Sequence, residues 1–130
     1  MRIGLAAVGI GSGAQPAVLQ AVATSAEAAG FASLWAFEHV VLVDQPASRY
    51  PFTADGQVPF PSDGDWLDPL ITLSVAAAVT ETIRVATGVL LLPEHNPVLV
   101  AKQAASLDRL SGDDLPLASE SGGWPRNARR

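Results

Sequence analysis

Short apolar runs alternate along the chain with longer segments in which apolar residues recur every three to four positions. Runs that are apolar throughout are typical of strands buried on both faces of a sheet, whereas the longer spacing is typical of helices that bury one face. The apolar runs predict strands over 2–8, 31–37 and 82–92. The periodic segments predict helices from Pro16 to about Ala29, over 70–80, and from Asn96–Pro97 to Ser111–Gly112.

This alternation of strands and helices predicts an α/β fold. Strands that are joined through helices lie parallel, and their crossovers are right-handed. Two architectures share this order, an open doubly wound sheet and a (β/α)₈ barrel. A complete barrel needs about 250 residues, so a chain of 130 residues could hold only its first three strand–helix units, a partial barrel.

The segment 44–66 interrupts the alternation with a loop of different composition. It contains four prolines and two glycines, which disfavour both a helix and a central strand. Loops of this length are uncommon inside compact domains and are often functional lids. We therefore interpret 44–66 as an inserted loop within a single domain that covers residues 1–112.

Composition narrows the classes of function. Cysteine is absent, which excludes a disulfide framework, and with two histidines we expect no metal site. The net charge is −5 and the eight Lys and Arg residues form no basic stripe in the body of the chain, which argues against a nucleic-acid partner. No apolar run reaches the ~20 residues of a membrane span, and the start shows no signal-peptide pattern. We expect a cytoplasmic protein.

Candidate chemistry is expected at the carboxyl ends of the predicted strands, where parallel α/β proteins bind ligands. Strand one is followed by the glycine-rich stretch 9–13, strand two by Glu38–His39, and strand three by His95. The glycines resemble a dinucleotide-binding turn only if Ala14 replaces its third glycine, although Glu38 could then supply the acidic residue of that motif. The alternative is a flexible turn that lets a bulky planar ligand, or only the next helix, approach the backbone closely.

Glu38 and His39 are the most suggestive pair. A carboxylate and an imidazole at one strand end can point into one pocket, and histidine can exchange a proton near neutral pH. The other interpretation is a partly exposed histidine at the start of a loop. His95 we interpret as part of the start of helix three, and Trp35 and Trp66 as packing residues.

Ordered motifs along residues 2–112 resemble the N-terminal part of the luciferase-like flavin-dependent monooxygenases and their deazaflavin-dependent relatives. The motifs are Gly30-Phe31-x-Ser33-Leu34-Trp35, Glu38-His39, Tyr50-Pro51-Phe52-Thr53, Trp66-Leu67-Asp68-Pro69-Leu70, Thr87-Gly88-Val89-Leu90-Leu91-Leu92-Pro93, Asn96-Pro97 and Leu107-Asp108-x-Leu110-Ser111-Gly112. Each motif is modest, but their order and spacing together are specific.

The resemblance implies a (β/α)₈ barrel that holds a flavin-type ring at its carboxyl face. By position, Glu38 and His39 fall on the family's acid–histidine pair beside the ring, and they are the implied catalytic residues. Gly9 and the stretch Thr87-Gly88-Val89 are the implied cofactor-binding residues, and Gly88–Val89 is the candidate for a non-proline cis peptide bond.

The implied cofactor is coenzyme F420, and the alternative is an FMN-dependent monooxygenase of the same superfamily. The implied reaction is hydride transfer to a small organic substrate, with the histidine tuning the ring or relaying a proton. Full-length relatives are expected to form homo-oligomers.

The resemblance ends at Gly112. Residues 113–130 carry Pro116, a polar run and three of the chain's seven arginines, so we expect no fourth strand and interpret 113–130 as an aberrant, disordered tail. An out-of-frame translation explains this composition, and a short paralogue with a diverged tail is the alternative. Because phosphate contacts in barrels lie on later units, we expect weak cofactor binding. An oxidoreductase, a non-catalytic remnant and a half-barrel that dimerises through its open edge all stay open.

Overall fold

The computed structural model describes residues 1–112, 115 and 117–120, the last four as backbone. The elements follow the predicted order, with somewhat shorter strands than the apolar runs. They are β1 (Gly4–Ala6), α1 (Pro16–Ala28), β2 (Ser33–Ala36), α2 (Pro69–Ala78), β3 (Arg84–Leu91), α3 (Pro97–Leu110) and β4 (Leu117–Glu120), with 3₁₀ turns at Gly11–Ala14 and Leu92–Glu94.

The strands form one parallel sheet in the order β1-β2-β3-β4. Leu34 and Ala36 of β2 are fully buried against the helices. Since side chains alternate across a strand, Trp35 lies on the opposite, helix-free face. Neighbouring helices contact one another in chain order, as they do on the outside of a barrel. The α/β class and the partial barrel are therefore confirmed.

The helix starts follow the signals in the sequence. The Asp68 carboxylate accepts a hydrogen bond from the Ile71 N–H at 2.9 Å, and the Asn96 side chain accepts from the N–H groups of Val98 and Leu99. Each cap is followed by proline at the first helical turn, where a missing N–H costs nothing. Among the helices that the structure describes, none is long and apolar enough to cross a membrane.

The prediction that no strand follows Gly112 is wrong at Leu117–Glu120. These residues form β4, which pairs in parallel with β3. Backbone groups make this pairing, so a polar edge strand is compatible with it, and Pro116 precedes the strand rather than interrupting it. The Leu115 N–H donates to Asp108 Oδ1 at 2.9 Å, which ties the approach to β4 to α3. The rest of the predicted tail, 113, 114, 116 and 121–130, lies outside the described residues.

One carboxylate holds the connection between α2 and β3 against the end of α1. Glu27 Oε1 accepts hydrogen bonds from the N–H groups of Glu81 at 2.9 Å, Thr82 at 2.6 Å and Ile83 at 2.9 Å. These backbone donors, that of Thr82 first, lower the pKa of Glu27 to about 2. The contact fixes where β3 enters the sheet.

Gly9 is required by packing against helix α2. Its φ is +83°, and a Cβ atom at this position would lie 2.7 Å from Thr72 Cγ2 and 2.8 Å from Thr72 Oγ1. Thr72 is fully buried, and its hydroxyl donates to the Asp68 carbonyl. A helix does approach the backbone here, but it is α2 and not α1, the next helix along the chain.

Gly9→Ala should lower the free energy of unfolding by about 2–5 kcal/mol, because overpacking costs about 1–3 kcal/mol and a left-handed φ about 1–2 kcal/mol. Gly11 has a φ of +56° and no atom within 4 Å of an added Cβ, so Gly11→Ala measures the cost of the left-handed backbone alone. Gly13→Ala involves neither a close contact nor a left-handed φ and is the control. Thr72→Ala in the Gly9→Ala background should restore part of the loss. Urea unfolding measures all four, and equal losses at Gly9 and Gly13 would contradict the packing argument.

Candidate functional site

The residues that the sequence suggested for chemistry gather at the carboxyl ends of β2 and β3. Glu38 and His39 follow the end of β2, and Leu91 is the last residue of β3. His95 comes directly after the 3₁₀ turn that leaves β3. Parallel α/β proteins bind their ligands at this edge, and we refer to these four residues as the rim.

Glu38 joins the two strand ends. Its side chain is only 3% exposed, and both of its oxygens are engaged. Oε2 accepts a hydrogen bond from the Leu91 N–H at 2.6 Å, and Oε1 lies 2.7 Å from His95 Nε2, which donates to it. A buried carboxylate needs such partners to offset its desolvation. Glu38 therefore fixes the spacing of β2 and β3 at the rim and orients the His95 ring.

The structure pairs Glu38 with His95 rather than with His39. His95 was interpreted as part of a helix start, and its link to the carboxylate was missed. A signal was nonetheless present, because Glu38 and His95 both follow neighbouring parallel strands, whose carboxyl ends meet at one edge. In the part of the chain that the structure describes, His95 Nδ1 makes no hydrogen bond, and the side chain is 19% exposed.

His39 is exposed and packs its ring edge-on against Trp66, with centroids 4.7 Å apart and an interplanar angle of 87°. Desolvation of the imidazole on this side lowers the pKa of His39 below its ordinary value, while the carboxylates of Glu94 and Glu38 act in the opposite direction. At neutral pH the ring is therefore largely uncharged and can accept a proton.

Trp66 connects the inserted loop to the rim. Its indole N–H donates to the Phe37 carbonyl at 3.1 Å, and its ring contacts Phe60 as well as His39. Its backbone forms an antiparallel bridge with Ile10, in the glycine-rich stretch. Trp66 is thus a packing residue, as the sequence suggested, and it packs the inserted loop against His39 of the rim.

Thr87-Gly88-Val89 lies in β3, and the Gly88–Val89 peptide bond is cis, as the resemblance implied. The pairing with β4 skips Val89, so that its backbone stands outside the ladder in a β-bulge. A Cβ atom on Gly88 would lie 3.0 Å from the Trp35 ring and 3.6 Å from the Phe37 ring. Gly88 therefore packs closely against Trp35 with no room for a side chain, next to a residue whose backbone is left out of the β3–β4 ladder.

Gly9, the remaining predicted cofactor-binding residue, contacts protein on both sides. Its carbonyl accepts from the Leu67 N–H at 3.1 Å, and its Cα faces Thr72. Its cofactor-binding role stays a prediction. Over residues 1–112 and the described backbone beyond them, no group of three or more His, Asp or Glu side chains is arranged to hold a metal ion.

The parallel sheet with helices on one face, and a polar rim at its carboxyl edge, define part of a (β/α) barrel. The family model of the luciferase-like monooxygenases matches residues 4–115, and the chain belongs to that family. An uncharacterized protein of Mycobacterium tuberculosis is 40% identical over 91 residues, which are 70% of this chain and 32% of the relative. The chain thus spans about a third of the length of this relative.

Solved structures of similar fold include an enzyme that depends on coenzyme F420 and an enzyme in complex with FMN. The coenzyme F420-dependent tetrahydromethanopterin reductase of Methanopyrus kandleri superposes with a TM-score of 0.65 at 18% identity, over 94% of this chain and 27% of that protein. The oxygenating constituent of 3,6-diketocamphane monooxygenase of Pseudomonas putida, in complex with FMN, superposes with a TM-score of 0.67 at 20% identity, over 98% and 31%. At these identities the likeness shows the fold.

A double-mutant cycle of Glu38→Gln with His95→Gln should give a coupling free energy of about 1–3 kcal/mol, the range of a hydrogen bond to a charged group. The matched cycle of Glu38→Gln with His39→Gln should be additive within about 0.5 kcal/mol. Urea unfolding at neutral pH measures both. A larger coupling to His39 than to His95 would contradict the pairing seen here.

Glu94→Gln should lower the pKa of His39 further, because it removes the carboxylate that most favours the protonated ring. NMR titration of the His39 ring protons measures the change. Glu81→Gln, which removes a charge at the opposite end of β3, is the matched control and should leave the His39 titration in place. A rise of the His39 pKa in Glu94→Gln would show that the electrostatic assignment is wrong.

Proposed function

We propose that the chain forms part of the cofactor-binding rim of an oxidoreductase that binds coenzyme F420 and acts on a small organic substrate. The observation that carries the proposal is the bulge at Gly88–Val89 beside the rim, where the backbone of Val89 is left out of the strand ladder near the carboxyl edge of a parallel sheet. The family model, and the names of the F420-dependent and FMN-containing enzymes of similar fold, support a ring cofactor of this type.

The residues present fit such a group. A flat tricyclic ring can approach backbone groups that are not used in a strand ladder, and the backbone of Val89, next to Gly88, is left out of the pairing with β4. Thr87 is fully buried below it, and the rings of Trp35 and Phe37 leave no room for a side chain on Gly88. Thr87, Gly88 and Val89 are the residues that would hold the ring. When bound, a reduced deazaflavin or flavin supplies a hydride.

Two imidazoles of the rim have distinct parts in the proposal. His39, with its lowered pKa, is uncharged at neutral pH and can accept a proton at its ring nitrogen. Both carboxylate oxygens of Glu38 are hydrogen-bonded, one to the Leu91 N–H and one to His95. Glu38 is therefore a positioning residue that holds His95 and the end of β3. The Trp66 ring restricts the His39 imidazole and shields one side of it from water.

FMN is the second candidate, because one of the two solved structures of similar fold described above is a complex with FMN. The chain spans about a third of the curated relative's length, and in barrels the phosphate contacts come from later units. We therefore expect either cofactor to bind this chain weakly. The test must then report where the cofactor binds as well as its affinity.

NMR titration of the ¹⁵N-labelled chain with F420, and separately with FMN, should shift the amide signals of Thr87, Gly88 and Val89 and of His39. Riboflavin should reproduce the FMN shifts and inorganic phosphate should not, because the proposed contact is to the ring. Gly88→Ala, which presses a methyl group toward Trp35, should remove the shifts, and Gly13→Ala should keep them.

Shifts confined to the helices, or none at millimolar ring compound, would overturn the proposed function. Larger shifts with FMN than with F420 at equal concentration would reverse the order of the two cofactors. Micromolar affinity for either would show that phosphate contacts of later units are not needed for binding.

A further inference from the structure

The sheet has two edges that no strand covers within the described part of the chain. β1 forms one edge and β4 the other. On β1, the Ile3 carbonyl accepts a hydrogen bond from the Ala32 N–H on the β2 side. Because the backbone groups of successive residues point to opposite sides of a strand, Gly4 and Ala6 direct theirs outward, and both residues are exposed. Such a row of backbone donors and acceptors is a template for another strand.

The helix-free face of the sheet is open as well. Ala6 is the partner of Trp35 in the register of β1 and β2, so both side chains point to this face. Gly4 faces the same way, because a Cβ atom there would lie 2.6 Å from Trp35 Nε1. Trp35 is only partly buried and Ala6 is exposed. In a complete barrel this face is the interior, which is packed with side chains.

Strand number and chain length both favour a second copy of this chain as the occupant. The described sheet has four parallel strands, half of the eight that close a barrel. Two chains of 130 residues together hold 260 residues, against about 250 in a typical complete barrel. The sheet follows the course of a barrel wall, because 94% and 98% of the chain superpose on the two enzymes of similar fold described above.

A two-fold axis along the barrel axis joins two such sheets without reversing any strand. β4 of each copy then lies beside β1 of the other, in the parallel orientation that every pair within the sheet already has. The two new pairings are identical, so the assembly closes, and neither described sheet keeps an open edge. With four residues in β4 and three in β1, the new pairing matches the length of the pairing between β1 and β2.

Apolar side chains lie exposed beside both edges. Ile3, at the start of β1, is 54% exposed, and Leu110, at the end of the helix that precedes β4, is 73% exposed. Both lie at the amino end of the sheet, since α3 runs back from the carboxyl end. Pairing of β4 with β1 brings this apolar surface together, and its removal from water favours the assembly.

We propose that two copies of this chain close one eight-stranded barrel, in which β4 of each copy pairs in parallel with β1 of the other. The assembly goes beyond the proposed function and needs no cofactor. Each copy supplies half of the strand ends around the barrel mouth, so the rim described above is half of the complete mouth. The rim of the second copy supplies the other half.

Sedimentation velocity from micromolar to near-millimolar concentration should show a discrete dimer of twice the 13.5 kDa of the chain. Isotope-filtered NMR on a mixture of labelled and unlabelled chain should show contacts between copies that connect β1 with β4. A monomer at every concentration, an aggregate without defined size, or contacts between copies through the helices would each overturn the proposal.

Ala6→Lys should raise the dissociation constant of the dimer by about a hundredfold or more, because it places an unpaired ammonium inside the closed barrel. In a single copy the position is exposed, so the fold should tolerate the change. Ala21→Lys, at an exposed position of α1, is the matched control and should change the constant by no more than about twofold.

Equal effects of Ala6→Lys and Ala21→Lys would overturn the proposal. Circular dichroism shows whether Ala6→Lys is folded. If it is not, the contacts between copies in the unmodified chain decide, and their absence between β1 and β4 overturns the proposal. Cofactor-induced shifts at Gly88 and Val89 are a separate measurement, so failure of the dimer and failure of the proposed function are distinguishable.

Discussion

The arrangement of the rim depends on one buried carboxylate. Glu38 leaves β2 and reaches the last N–H of β3 and the imidazole of His95, so that a single side chain sets the distance between two strand ends and the direction of the next loop. A buried charge of this kind is stable only when its partners are fixed. His39, the next residue along the chain, packs against Trp66 beside these strand ends.

Aromatic packing extends that order from the sheet into the inserted loop. Trp66 sits between the rings of His39 and Phe60, and its indole N–H is bound to the backbone after β2. A long proline-rich loop would otherwise have few apolar contacts to restrict it. Here the loop is tied to the rim at Trp66 and is folded on itself by internal hydrogen bonds.

The sequence predicted the order of elements, the parallel sheet and most helix starts, because these follow from local signals. Buried apolar runs, Asp68 and Asn96 as caps, and proline after each cap all act within a few residues of the element that they specify. The fourth strand was missed for a physical reason. The pairing of Leu117–Glu120 with β3 is made by backbone atoms, and an edge strand needs no apolar side chains to form it.

The sequence by itself determined the family, since motif order is a linear property of the chain, and the resemblance implied the cis bond in β3. It also predicted the carboxyl edge of the sheet as the place of the site. Only the tertiary structure decided which histidine binds the Glu38 carboxylate and which residue packs against Gly9. Both are contacts between residues more than fifty positions apart, Glu38 with His95 and Gly9 with Thr72. Spacing along the chain suggests a neighbour such as His39, but the bond forms where neighbouring strands bring their ends together.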